Sequence, residues 1–197
     1  HKDQSTLAPI ASVPLPERLV IPLHQSVGGH PRPLVQPGER VFKGQRIGGA
    51  DGSLSSAVHA STSGLVRDIV PAVMPHTSGL TTLSVVIEPD GEDRWGELDK
   101  VRFRSTPPDE LRDFLRDAGI VGLGGAVFPS HLKLKPGKEG ALQTLVINGA
   151  ECEPFITCDD MLMRERAGDM LKGIIAMRHM LQARSEEHTS ELQSPNT

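Results

Sequence analysis

Two segments of this chain contain the residue types from which a ligand site is built. The first, AGIVGLGGAVFPSHLKL, covers residues 118–134 and carries Gly122, Gly124 and Gly125, one aromatic, Phe128, and one lysine, Lys133. Glycines so spaced let a backbone approach a ligand closely and turn its N–H groups outward, which is how loops hold phosphates. The spacing is neither a Walker loop nor a dinucleotide fingerprint, since GLGGAVFP lacks both GK[ST] and GxGxxG. Taken alone, it is also what a tight turn between helix and strand requires. The second segment, LVINGAECEPFITCDD at 145–160, is a β-branched run that ends in Asn148, Glu151 and Glu153. Polar side chains just past a strand stand at its C-terminal edge, where open α/β sheets bind ligands.

Helical and extended stretches must position these groups. Thr106 is a candidate N-cap with Pro107 at the first helical position, and Leu111, Phe114, Leu115 and Ala118 form one apolar helical face. Gly119 suits the position after the last turn. The charged residues of this helix, from Asp109 to Asp117, read as a solvated face. After the glycine segment, residues 131–140 are basic, and residues 142–147 read as a strand. Cys158-Asp159-Asp160 opens the last helical stretch, with acidic groups at its N-terminus. Met170, Leu171, Ile174, Ile175, Met177 and Leu181 give it a wide apolar face, the methionines filling core.

Upstream, residues 1–17 read as an extended lead-in, and the apolar run ERLVIPL gives a strand at 18–23. PGERVFKGQRI then reads turn, strand, turn, strand, with Val41 and Ile47 inward and Gly38 and Gly44 at the corners. VHASTSGLVRDI repeats that rhythm with Val58, Leu65, Val66 and Ile69, Gly64 taking the turn. A further strand follows at 83–87, and PDGEDRWGE is a polar turn in which Trp95 is expected in the core or at a domain interface. The two halves resemble a biotinyl/lipoyl-type barrel-sandwich. In such carriers the hairpin between the halves bears the modified lysine, but here that hairpin, GGADGSLSSA at 48–57, has none. His24, His30, His59 and His76 are irregularly spaced and read as packing or hydrogen-bonding residues, with metal binding the lesser alternative.

Composition sets the outer bounds. The 197 residues carry a net charge of −4, so no basic field points to nucleic acid. No apolar run approaches the ~20 residues of a membrane helix. Cys152 and Cys158, at C-x5-C, form neither a zinc knuckle nor an iron–sulfur run and are expected to be buried free thiols in a reducing compartment.

The pair of segments resembles the flavoprotein subunit of respiratory NADH dehydrogenases and NAD-linked hydrogenases. It is more closely similar to the C subunit of Rnf-type ion-translocating ferredoxin:NAD oxidoreductases, where GLGGAVFP, a lysine shortly after, and INGAECEP followed by TCDD are expected. The resemblance implies an α+β chain in two parts. A barrel-sandwich hybrid spans 18–99, and the first, incomplete part of an α/β flavin/NAD-binding domain spans 100–183. It implies FMN held by Gly122, Gly124, Gly125, Lys133, Asn148 and Glu151, with Phe128 and Glu153 against NAD(H), and neither a catalytic side chain nor a metal ligand among these residues. Hydride transfer between nicotinamide and flavin asks the protein to place two rings in contact and tune them. Two departures from the respiratory pattern, Ala150 for aspartate and Leu123 for arginine, are those of the Rnf-type branch.

The same resemblance implies a peripheral subunit at the cytoplasmic face of the bacterial inner membrane, within an electron-transport complex that couples electron flow to ion translocation. Its partners would be the other membrane subunits and a ferredoxin-linked electron chain. Two [4Fe–4S] clusters, on C-x2-C-x2-C-x3-C-P runs, are expected only beyond the residues present here. Arg184–Ser194 reads as a translated sequencing adapter, so residues 184–197 are set apart from fold reasoning. With part of the pocket lacking, residues 1–183 are expected to bind FMN weakly or not at all and to be inactive alone. Two alternatives stand beside this reading: a flavoprotein module of a soluble NAD-linked hydrogenase or formate dehydrogenase, and a non-catalytic binding module built on the lipoyl-like sandwich.

Overall fold

Seven short strands with alternating apolar residues build the first half of the chain. A computed structural model describes residues 2–123, 127–136, 142–183 and 185–189. The strands are β1 (Leu19–Pro22), β2 (Arg32–Pro33), β3 (Arg40–Val41), β4 (Arg46–Gly49), β5 (Val58–His59), β6 (Gly64–Val73) and β7 (Thr81–Pro89). They pair antiparallel in two sheets, ordered β1-β7-β6-β3 and β2-β4-β5. Ile21, Leu23, Val41, Ile47, Val58, Val66, Val85 and Ile87 make one buried cluster. Each such side chain contributes about 1.5–3 kcal/mol when taken from water. Val41 and Ile47 point inward, and Gly44 turns the corner at φ 79°. Gly64 does not turn a corner. It opens β6 opposite Pro89, and a Cβ there would stand 2.2 Å from the Glu88 carbonyl oxygen.

A polar latch closes this barrel. The fully buried Thr62 hydroxyl donates to Asp93 at 2.8 Å, and that of Ser63 donates to Asp90 at 2.7 Å. Lys43 adds an ion pair to Asp93 at 2.6 Å. These donors hold both carboxyls below their usual range, Asp90 chiefly through Ser63 and Asp93 chiefly through Lys43. Trp95 departs from expectation: it is 62% exposed. Its backbone bridges to Lys43, and the Lys43 ammonium stands 5.1 Å from the ring centroid. The indole is thus held outside by a cation–π contact and takes no part in the core. The His24 and His30 rings stack at 4.3 Å.

Helices α1 (Pro108–Asp117) and α2 (Ser130–Lys133) follow. Leu111 is buried in α1, while Phe114, Leu115 and Ala118 are half-buried. Residues 14–102 and 109–134 form one compact unit. The glycine segment therefore packs with the barrel, although a sequence boundary near 100 separates them.

The second unit comprises residues 103–108, the chain from 135 onward and the N-terminal 13 residues. It holds β8 (Thr144–Asn148), α3 (Cys158–Glu165), α4 (Ala167–Leu181) and β9 (Ser185–Thr189). β8 and β9 pair in parallel from Thr144↔Ser185 to Asn148↔Thr189. A parallel pair needs a long crossover, which α3 and α4 supply. β9 lies in the stretch set apart on sequence grounds, and its pairing uses backbone groups that any non-proline residue provides. On α4, Ile174, Met180 and Leu181 are buried whereas Leu171 is 51% exposed, so the apolar face is only partly covered.

Candidate functional site

The described residues on either side of the glycine segment, 120–123 and 127–130, pair with each other. The Gly122 N–H donates to the Phe128 carbonyl at 2.9 Å, and the Ser130 N–H donates to that of Ile120 at 3.1 Å. Val121 and Pro129 form an antiparallel bridge between the legs. Leu123, where the respiratory pattern has arginine, is 96% exposed. Gly124 and Gly125 lie outside the described residues. Val127 has φ 45°, a left-handed conformation that costs a β-branched residue on the order of 1–3 kcal/mol.

Lys133 returns over this turn. Its Nζ lies 5.8 Å from the Phe128 ring centroid and 3.8 Å from where a Cβ on Gly122 would stand. No carboxylate lies within ion-pair distance of Lys133 among the described residues. An ammonium beside backbone, with no carboxylate against it among the described residues, is a donor that a phosphate can take. On this observation Lys133 beside Gly122 is compatible with the phosphate of a flavin mononucleotide.

The second segment belongs to the other compact unit. Asn148 ends β8, and its Oδ1 accepts the Ala150 N–H at 2.9 Å, which closes the turn. Glu151 is the N-terminal cap of α3. Its Oε1 accepts the N–H groups of Asp159 at 2.9 Å and Asp160 at 3.0 Å, while its Oε2 accepts from the Cys158 thiol at 3.4 Å. Thr157, at the cap position itself, makes no such side-chain bond. Glu153 is exposed on the same loop. Phe155, at φ 68°, is a second bulky residue in left-handed backbone.

Both cysteines are exposed, contrary to the expectation of buried thiols. Cys152 lies on an exposed loop, residues 152–156, and Cys158 opens α3. The Cys158 thiol is pushed up, first by partial loss of solvent around the sulfur and then by Glu151. Glu151, Cys158 and Asp159 offer ligand atoms within 4.8 Å of one another. The carboxylate already serves two amides and the thiol stays protonated, so the group reads as a helix cap.

The structure thus brings Gly122, Phe128 and Lys133 together in one unit, and Asn148, Glu151 and Glu153 together in the other. Sequence reasoning missed the capping role of Glu151 and the strain at Val127. It also missed His131, which is buried with Nε2 donating to the Ser53 carbonyl at 2.9 Å. No local spacing signals those contacts.

Residues 1–92 match the RnfC barrel sandwich hybrid domain, and residues 115–186 match the Nuo51 FMN-binding domain. These matches describe a barrel-sandwich followed by a region similar to a flavin mononucleotide-binding domain. The chain is 45% identical over 182 residues to the C subunit of the ion-translocating oxidoreductase complex of Rhodobacter capsulatus, covering 92% of this chain and 35% of that protein. It is 48% identical over 175 residues to the same-named protein of Pseudomonas aeruginosa, covering 88% and 23% respectively. Over the part it spans, the chain belongs to the C-subunit family of Rnf-type ion-translocating oxidoreductase complexes. It spans about a quarter to a third of the length of these relatives.

Proposed function

We propose that this chain supplies the phosphate-holding part of an FMN site through which a complete C subunit passes electrons between NAD(H) and iron–sulfur centres. The observation that carries this reading is the Lys133 ammonium over Gly122 with no carboxylate partner among the described residues. When bound, FMN supplies the capacity to accept a hydride and release electrons singly. The chain's own residues bind and orient. By likeness to the FMN-binding family the glycine segment lies against the phosphate, Lys133 neutralises its charge, and Phe128 offers a ring for stacking. Asn148 and Glu151 have acceptor capacity remaining for the flavin side of the pocket, and the exposed Glu153 carboxylate can accept from nucleotide hydroxyls. Gly124 and Gly125 are assigned with the turn. Within this proposal the [4Fe–4S] clusters belong to the continuation of the subunit, and the partners are the membrane subunits of the complex. The location is peripheral, on the cytoplasmic side. Among the described residues no helix is long and apolar enough to cross a membrane.

A phosphate cradle makes a specific demand. The 197-residue protein, purified without flavin, binds added FMN with a dissociation constant of about 10 μM to 1 mM, and riboflavin, which lacks the phosphate, at least about tenfold more weakly. Equilibrium dialysis with both flavins checks this. Equal affinity for the two would remove the phosphate role from the glycine turn.

A further inference from the structure

We propose that residues 48–57, the hairpin that bears the modified lysine in barrel-sandwich carriers, here hold the glycine turn in place, with His131 as the positioning residue. The consequence for FMN rests on the function proposed above; the mechanical claim does not.

The hairpin touches the chain on both sides of the turn. At the entrance, the Ala57 N–H donates to the Arg116 carbonyl at 3.0 Å, near the end of α1. Gly119 follows at φ +69°, and a Cβ there would lie 2.5 Å from the Ala57 carbonyl oxygen and 2.9 Å from His59 Nδ1. Only glycine meets both demands at that point. At the exit, His131 is 8% exposed and its Nε2 lies 2.9 Å from the Ser53 carbonyl oxygen. A carbonyl only accepts, so Nε2 carries the hydrogen. The other ring nitrogen, Nδ1, is buried without a partner among the described residues. The ring is therefore fixed through Ser53.

The hairpin is itself held from the opposite side. A Cβ on Gly28 would stand 1.5 Å from the Leu54 carbonyl oxygen, and one on Gly29 would stand 2.2 Å from that of Asp51. Small residues make this possible. Gly28 and Gly29 give that room on this side, as Gly119 does against Ala57 on the other. The segment between Gly119 and His131 is thus tied at both ends to one element of the barrel. Ordering it before a ligand arrives lowers the conformational cost of binding.

Amide hydrogen exchange on the whole 197-residue chain tests the bracket. His131→Leu removes the donor, His131→Asn places it one bond short, and His131→Gln restores an N–H near the Nε2 position. The expected result is exchange about tenfold faster across residues 120–134 in His131→Leu and His131→Asn, near-normal exchange in His131→Gln, and unchanged protection in β6 and β7. Should His131→Leu fail to fold, the Asn and Gln pair decides the matter alone. Unaltered exchange in 120–134, equal loss in Asn and Gln, or a matching loss in β6 and β7 would overturn the proposal. FMN affinity measured on the same proteins separates the two claims. If the unsubstituted chain takes up no flavin, the FMN reading fails while the exchange pattern still decides the bracket.

Discussion

Glu151 shows how much one carboxylate can do that its sequence position does not announce. It stands eight residues before the first amide it caps, beyond any local capping pattern, and it supplies what Thr157 does not. Glu151→Ala should destabilise the unit carrying α3 by about 0.5–2 kcal/mol in the absence of flavin, with Glu151→Gln intermediate because it keeps an acceptor and loses the charge. Denaturant titration, with exchange at the Asp159 and Asp160 amides, checks this. Gly119 as the residue just past α1 was legible because its meaning is local. Strain at Val127 and Phe155 was not, since neither residue type favours left-handed backbone. The histidines carry a pH signature. Burial lowers both His24 and His59, aided by the charge of His30 on the former and Arg46 on the latter. Lowered folded values mean that the unfolded chain binds more protons just below pH ~6.5. Melting temperature should therefore fall as pH drops below about 6.5, then level off below the folded values. A second fall is expected below about pH 4, as Asp90 and Asp93 are protonated. His24→Asn with His59→Asn should flatten the first step only, as read by calorimetry across pH.

Elements were more legible than their partners. Period-two alternation and corner glycines placed β3 and β4, and the helix from Pro108 ends just before Gly119 as its residues require. Alternation says which face is apolar but not which later segment will cover it. The grouping of the glycine segment with the barrel includes contacts between residues far apart in sequence, among them the bond between Ser53 and His131, 78 residues apart. Trp95 illustrates the same limit. A large aromatic at a domain edge reads as core, yet its bridge to Lys43 leaves it outside under an ammonium. α4 shows the opposite case. Its sequence carries a wider apolar face than the second unit covers, with Leu171 exposed.

At the scale of the molecule, two family matches divide the chain much as its rhythm does, a barrel-sandwich first and an FMN-binding region after it. The compact units divide it differently, because residues 109–134 pack with the barrel. In the proposed flavin site, the phosphate end falls to a turn that the barrel braces. The missing lysine of the carrier hairpin is then a change of use: Gly28, Gly29 and Gly119 approach its backbone closely in place of an attachment point. Affinity for FMN in Lys133→Ala, set against Lys135→Ala as a neighbouring-charge control, tests this account most directly. The account predicts a loss of about tenfold or more for Lys133→Ala, as for a charge-assisted bond to phosphate, and little change for Lys135→Ala. Equal effects of the two substitutions, or none from Lys133→Ala, would contradict it.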